Sequence, residues 1–187
     1  MRRGAPFALP ARLLRDQRGV SAVEFALIAP VMIVIYFGLV EFCQGYMAER
    51  RAGHAASMVA DLVAQSGGTS ALDLDRTFAI GDTIMRPFSA VPLSIRVSSV
   101  TVDAGGVATV EWSRANSRNL TRRAPRSVVA DLPPGLIEAG QTVILGETEY
   151  AYQSAFAQVI PNGVVFRRSY YLRPRTTDRI VCADCPA

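Results

Sequence analysis

The sequence predicts an α+β fold in which a long N-terminal helix packs on a small antiparallel β-sheet domain. An apolar run over Val20 to Val40 passes without a turn signal into an amphipathic pattern that reaches Gln65. After Pro87 and Pro92 the hydrophobic period changes from helical to alternating, and the first two alternating segments flank a glycine-rich turn. A chain of 187 residues holds one ordinary domain and an apolar segment, but not two soluble domains with separate cores.

The helix comes first. Phe25 to Val40 reads FALIAPVMIVIYFGLV without a charge, and Val20 to Glu24 adds only Ser21 and Glu24 as polar interruptions. Further on, Ala48, Ala52, Ala55, Val59 and Leu62 recur at helical spacing, with Arg50, His54, Ser57, Asp61 and Gln65 as an opposite polar stripe. Pro30 and Gly38 are places where this helix can bend, and Ser66-Gly67-Gly68-Thr69-Ser70 ends it.

A second helix is expected from about Ala71 to Met85. Ser70 serves as its N-cap, Asp73 takes the capping-box position, and Leu74, Phe78 and Met85 share one face. Strands come next at Leu93 to Val102 and Val107 to Trp112, joined by Asp103-Ala104-Gly105-Gly106 as a hairpin. Two more are expected at about Thr142 to Tyr152 and Val164 to Arg173, with a short one near Ile180. The stretch from Arg114 to Gly140, with Pro125, Pro133 and Pro134, reads as a surface excursion. No internal repeat is present.

Charge separates the first residues from the rest. Of 20 basic and 16 acidic residues, five Arg (Arg2, Arg3, Arg12, Arg15, Arg18) and one acid (Asp16) precede Val20, so the remainder carries no net charge. A nucleic-acid binder keeps its basic face on the folded domain, so this distribution excludes nucleic acid as the expected partner. It suits a membrane topology signal instead.

The run from Val20 to Val40 is long enough, at ~1.5 Å per residue, to cross ~30 Å of hydrocarbon. The five arginines ahead of it outweigh Arg50 and Arg51 behind it. The positive-inside bias therefore leaves the N-terminus in the cytoplasm and exports the chain beyond Tyr46. A cleaved secretory signal would have a shorter apolar region ending in a small-x-small pattern; here the run continues past Gly38 to Phe42 and Tyr46, as an anchor does.

Glu24 stands out, because a carboxylate in a membrane helix costs up to ~3 kcal/mol at the bilayer centre and less near the interface. One reading places it at headgroup level, where an acid suits the positive helix end. A second comes from its surroundings, Arg18-Gly19-Val20-Ser21-Ala22-Val23-Glu24-Phe25 ahead of the apolar run. This segment resembles the prepilin-peptidase site of type IV pilins and, with Glu24-Phe25, most closely the TadE-like minor pseudopilins of the tight-adherence (Tad) pilus. The C-terminal portion, with Tyr150-Ala151-Tyr152 and Tyr171-Leu172-Arg173-Pro174-Arg175 before Ile180-Val181-Cys182, is similar to the ends of alphaproteobacterial TadE-like proteins.

The resemblance implies a pilin-like fold and cleavage between Gly19 and Val20 on the cytoplasmic side. Glu24 then becomes the fifth mature residue and pairs with the freed amino terminus of a neighbouring subunit. Opposite charges attract strongly in low dielectric, and an unpaired charge there is costly, so pairing favours one register between subunits. A glycine before the scissile bond lets extended backbone enter a narrow protease cleft. Val20 departs from the Phe or Met frequent at the first mature position of type IVa pilins.

The implied organisation is a basic leader at 1–19, a transmembrane helix at 20–46, an amphipathic continuation at 47–66 and a periplasmic α+β domain at 67–187. The implied partners are a prepilin peptidase, other pilin or pseudopilin subunits and the inner-membrane pilus assembly machinery of a bacterium. The alternative is an unprocessed single-pass anchor carrying a periplasmic domain with an envelope-binding or enzymatic role.

No cofactor, metal or catalytic residue is expected. Cys182 and Cys185 form a C-x-x-C pair open to a local disulfide, pairing with a partner or free thiols. A zinc site would need two further ligands, with only His54 and Cys43 on offer. Cys43 reads as a small apolar residue of the helix. The sole histidine, His54, lies on the polar stripe, and no G-x-S-x-G, H-E-x-x-H or S-x-x-K pattern exists. Asp73, Asp75, Glu147 and Glu149 are spaced as capping or strand-surface residues. Arg114, Arg118, Arg122, Arg123 and Arg126 read as a solvated loop, since no aromatic interleaving accompanies them.

Overall fold

The computed structural model describes residues 19–116, 119–133, 135–154 and 161–185. Two helices, α1 (Val20–Gln65) and α2 (Ala71–Ile84), precede four strands: β1 (Leu93–Val102), β2 (Ala108–Ala115), β3 (Thr142–Tyr152) and β4 (Val164–Leu172). The sheet is antiparallel throughout, in the order β2-β1-β3-β4, and the fold is α+β. The basic leader up to Arg18, and Arg118, lie outside the described residues.

Helix α1 runs unbroken for 46 residues, through Pro30. At ~1.5 Å per residue this is ~69 Å, enough for one half to pack on the sheet and the other to stand clear of it. Ser66 ends it, with its backbone N–H and its hydroxyl both donating to the Val63 carbonyl. Ser70 starts α2 by accepting the Asp73 N–H at 3.2 Å, while its own hydroxyl donates to the Asp73 carboxylate at 2.6 Å. At the other end of α2, Arg51 of α1 donates to the Ile84 carbonyl at 3.0 Å, placing a cation at the negative helix end.

The buried face of α1 is made of small side chains: Ala48, Ala52, Ala55, Ala56, Ala60 and Ala64, with Val59 and Val63. Small residues let the sheet and α2 approach closely. A Cβ built on Gly81 of α2 would lie 2.5 Å from Ile95 Cδ1 of β1, so a larger residue there would push the end of the Ile95 side chain aside. Leu62, expected on the buried stripe, is exposed, and Val63 is buried in its place. At ~100° per residue Leu62 lies to one side of Ala48, while buried Ala52, Ala56, Val59, Ala60 and Val63 lie to the other, so the buried stripe is centred away from Leu62.

A β-bulge sorts the sheet into two cores. Ser99 pairs with Trp112 and Val100 with Val110, leaving Glu111 as the extra residue of β2. Trp112 and Val110 would share a face in a regular strand; the insertion sends Trp112 to the core under the helices and Val110 to the other face. The first core joins Leu93, Ile95, Val97, Ile144 and Tyr150 to α1 and α2. The second joins Val100, Val110, Val143 and Leu145 to Val129 and Ile137.

The second core corrects the reading of Arg114 to Gly140 as a surface excursion. Val129 and Ile137 are buried, and residues 126–129 bond to the outer edge of β2 through Val110 N–H to Ser127, Arg126 N–H to Val110 and Val129 N–H to Ala108. The alternation of the strands hides this cover, because a loop supplying isolated apolar residues has no period. The strand expected near Ile180 does not form either: among the described residues that region makes one parallel bridge, Thr69 to Cys182. Ile180 is buried instead as an anchor, with its carbonyl accepting Trp112 Nε1–H at 2.7 Å.

Candidate functional site

The long helix divides the molecule into a packed half and a bare half. Val20, Val23, Phe25, Leu27, Ile28 and every large apolar side chain from Val31 to Phe37 are exposed, as are Leu39, Phe42, Tyr46 and Met47. The most apolar stretch has a mean hydropathy of 2.3 and is 0% buried, and the helix is long and apolar enough to cross a membrane. Burying one such side chain is worth ~1.5–3 kcal/mol, and soluble monomers rarely show apolar patches beyond a few hundred Å². A surface of this extent requires lipid or other apolar helices around it.

Gly19 occupies the N-cap position with φ −87° and ψ −8° and makes no side-chain capping bond. Space around it is open. The first turn of α1 contains no acid, because Glu24 falls one turn further along. That weakens the reading of Glu24 as a helix-end charge, since dipole effects fade within the first turn. Glu24 and Phe25 are both exposed, Phe25 at 73%, and neither belongs to the packed cores. Gly19, Val20, Glu24 and Phe25 thus line up at one end of the bare half.

The tripeptide Val-Glu-Phe occurs twice on α1, at Val23-Glu24-Phe25 and at Val40-Glu41-Phe42, with opposite outcomes. Glu41 is buried, only 1% exposed, where the β-domain first meets the helix. Beside it, Gly45 lies beneath the Tyr152 ring, and a Cβ there would be 3.5 Å from the ring. The Tyr152 hydroxyl is buried and has no hydrogen-bond partner among the described residues. Burial raises its pKa above the ordinary tyrosine value, and the Glu41 charge adds to this. On the exposed side the apolar surface continues through Phe42, Tyr46 and Met47.

The other candidate residues are dispersed. Cys182 and Cys185 form a disulfide with a Cα separation of 5.4 Å, next to Asp184, whose carboxylate accepts the Ala71 N–H at 2.7 Å. Bonded sulfurs supply no thiolate, so the Cys182, Asp184 and Cys185 cluster offers a metal one carboxylate. His54 is exposed on α1, and Ser57 donates its hydroxyl to the His54 backbone carbonyl, not to the ring. Cys43 is an exposed free thiol on the bare half of α1.

Two of the arginines read as a solvated loop, Arg114 and Arg123, are paired. Arg114 binds Asp75 of α2 through two bonds of 3.1 and 2.7 Å. Arg123 and Arg96 both bind Glu147, each through two bonds between 2.7 and 3.1 Å, and all three side chains are nearly buried. Glu147 is therefore not a strand-surface residue. Burial pushes its carboxyl up, and the bonds and charges of Arg96 and Arg123 outweigh that, holding it below the ordinary 4.5. The sequence offered little signal for this cluster, because Arg96 alternates with Ser94 and Ser98 and Glu147 with Glu149, as on a polar face.

Residues 19–61 match the family model described as TadE-like protein. Over that segment the chain is similar to TadE-like proteins. No curated protein and no solved structure matches it. The TadE-like segment begins at Gly19, takes in the entire bare half of α1 and ends within the small-residue face that packs on the sheet. The matched segment thus contains the stretch of α1 that is long and apolar enough to cross a membrane.

Proposed function

We propose that this chain is a minor pseudopilin or pilus-assembly subunit of a Tad-type pilus, held in the bacterial inner membrane by α1 and processed after Gly19 by a prepilin peptidase. The observation that carries the reading is the coincidence at one end of α1 of the TadE-like match, the first helical residue Val20 and an uncovered carboxylate at Glu24. Cleavage before Val20 would leave a new amine four residues from Glu24, an axial offset of ~6 Å. A neighbouring helix shifted by that amount brings its amine level with this carboxylate, and low dielectric strengthens the attraction.

In this reading the N-terminus lies in the cytoplasm and the β-domain in the periplasm, as the arginine distribution favours. The partners are the peptidase, other pilin or pseudopilin subunits and the inner-membrane assembly machinery. The chain works by binding and not by catalysis. Mass spectrometry of the protein isolated from cells that possess the peptidase tests this: Val20 is expected as the first residue. An intact arginine-rich segment ahead of Val20, or a cut beyond Tyr46, rejects the pilin reading and leaves an unprocessed anchored domain.

A further inference from the structure

Where α1 leaves the bare half, a cleft of about 580 Å³ opens between α1 and β4, lined among others by Tyr46, Glu49, Arg50, His54, Arg168 and Tyr170. We propose that this cleft binds the phosphodiester headgroup of an anionic membrane lipid.

Position is the first argument. Counted from Phe25, ~20 residues and ~30 Å of hydrocarbon end near Gln44, and the headgroup layer adds ~5–8 Å beyond. Tyr46 falls in that layer, where amphipathic aromatic rings settle. Arg50 lies one turn further out, but its side chain reaches back: Nη1 donates to the Tyr46 hydroxyl at 3.2 Å, and the guanidinium carbon stands 5.8 Å from the ring centroid. The guanidinium is thereby held at headgroup depth. The adjacent Arg51 is committed elsewhere, to the Ile84 carbonyl.

Charge is the second argument. Glu49 and Arg168 form an ion pair across the cleft and cancel. Arg50 then leaves one net positive charge against the single negative charge of a phosphodiester. A guanidinium has five N–H donors, so the bond to Tyr46 leaves others for phosphate oxygens. His54 and the Tyr170 hydroxyl lie in the same cleft, within reach of the glycerol or sugar hydroxyls of a headgroup. The occupant is a lipid and not a free anion because the bare face of Phe42, Tyr46 and Met47 runs directly below the cleft and takes the acyl chains.

The inference rests on α1 spanning the membrane and can fail separately from it. The full chain in zwitterionic micelles is titrated with phosphatidylglycerol or phosphatidylcholine, and retained lipid is counted by native mass spectrometry, alongside R50Q and a control, R76Q, on exposed α2. Arg50 is exposed and bonds to exposed Tyr46, so R50Q should unfold as the unchanged chain does. Phosphatidylglycerol is expected to be retained about fivefold over phosphatidylcholine, roughly what one arginine commands at an anionic surface. R50Q should abolish that preference, R76Q should keep it, and excess inorganic phosphate should not displace the lipid. Equal retention of both lipids, equal loss in R50Q and R76Q, or displacement by inorganic phosphate overturns the proposal. Flotation with vesicles in parallel judges the anchor by itself.

Discussion

Gly146 of β3 lies against Ala60 of α1 so closely that a Cβ on the glycine would stand 2.6 Å from the Ala60 Cβ and 3.1 Å from the Ala56 carbonyl oxygen. Helix and sheet meet here backbone to backbone, and neither neighbour has a flexible side chain to move aside. Gly146→Ala is expected to cost about 1–3 kcal/mol through overpacking, and Gly146→Val more. Gly67→Ala, with nothing within 4 Å, should change little. Thermal unfolding of the three variants, followed by circular dichroism in detergent, checks the order.

The Arg96–Glu147–Arg123 cluster makes stability depend on pH in a definite direction. The carboxyl of Glu147 is lowered from 4.5 in the folded chain, so its contribution is complete above that value and is lost as pH falls through the folded value. The melting temperature is therefore expected to hold through neutral pH and to drop in acid, as pH falls below the ordinary 4.5 and through the lowered folded value. Glu147→Gln should flatten that drop. At neutral pH it removes the shared counter-charge of two nearly buried arginines, leaving Arg123 only the longer contact to exposed Asp131, which costs about 3–5 kcal/mol.

A third prediction concerns the segment after β4. Trp112 Nε1–H bonds the Ile180 carbonyl at 2.7 Å, and one residue on, the Val181 carbonyl accepts the Thr69 N–H at 3.0 Å. Trp112→Phe keeps an aromatic ring in the core but strands the Ile180 carbonyl, at a cost of about 1–3 kcal/mol. Hydrogen exchange should rise at Thr69 and across residues 180–185 and change little at β3. Uniform change across the sheet would show that Trp112 acts through core packing alone.

Periodicity made the skeleton of this fold readable. The end of α1 at Gln65, the Ser70 cap of α2 and the pairing of β1 with β2 across Asp103 to Gly106 each arise from a local pattern with a single physical cause. The features that stayed hidden depend on contacts distant in sequence. Glu41 and Glu24 occupy the same tripeptide, yet one is covered by the β-domain and the other is not, which no local reading distinguishes. Arg123 looked like one of several loop arginines because its partner, Glu147, is 24 residues away. The bulge at Glu111 was invisible for the same reason: an inserted residue leaves the composition of β2 unchanged and alters only which face each side chain takes.

The candidate processing and pairing residues allow a clean separation of folding from assembly. A Cβ on Gly19 would meet nothing within 4 Å, and Glu24 is exposed at the start of the bare helix, so substitutions at either leave both cores intact. If a peptidase reads the backbone at Gly19, Gly19→Val should accumulate precursor with its arginines attached, because a branched side chain obstructs the narrow, extended fit that a glycine permits. Glu24→Ala should be cut normally, yield a mature chain starting at Val20 and fail to enter pili, because the amine of the neighbouring subunit loses its counter-charge. Mature-length protein with absent pili in Glu24→Ala, against uncut protein in Gly19→Val, is the expected pair of results on immunoblots and electron micrographs. Normal pili from Glu24→Ala would remove the carboxylate from the assembly step while leaving α1 an anchor, and normal cutting of Gly19→Val would move the processing site elsewhere.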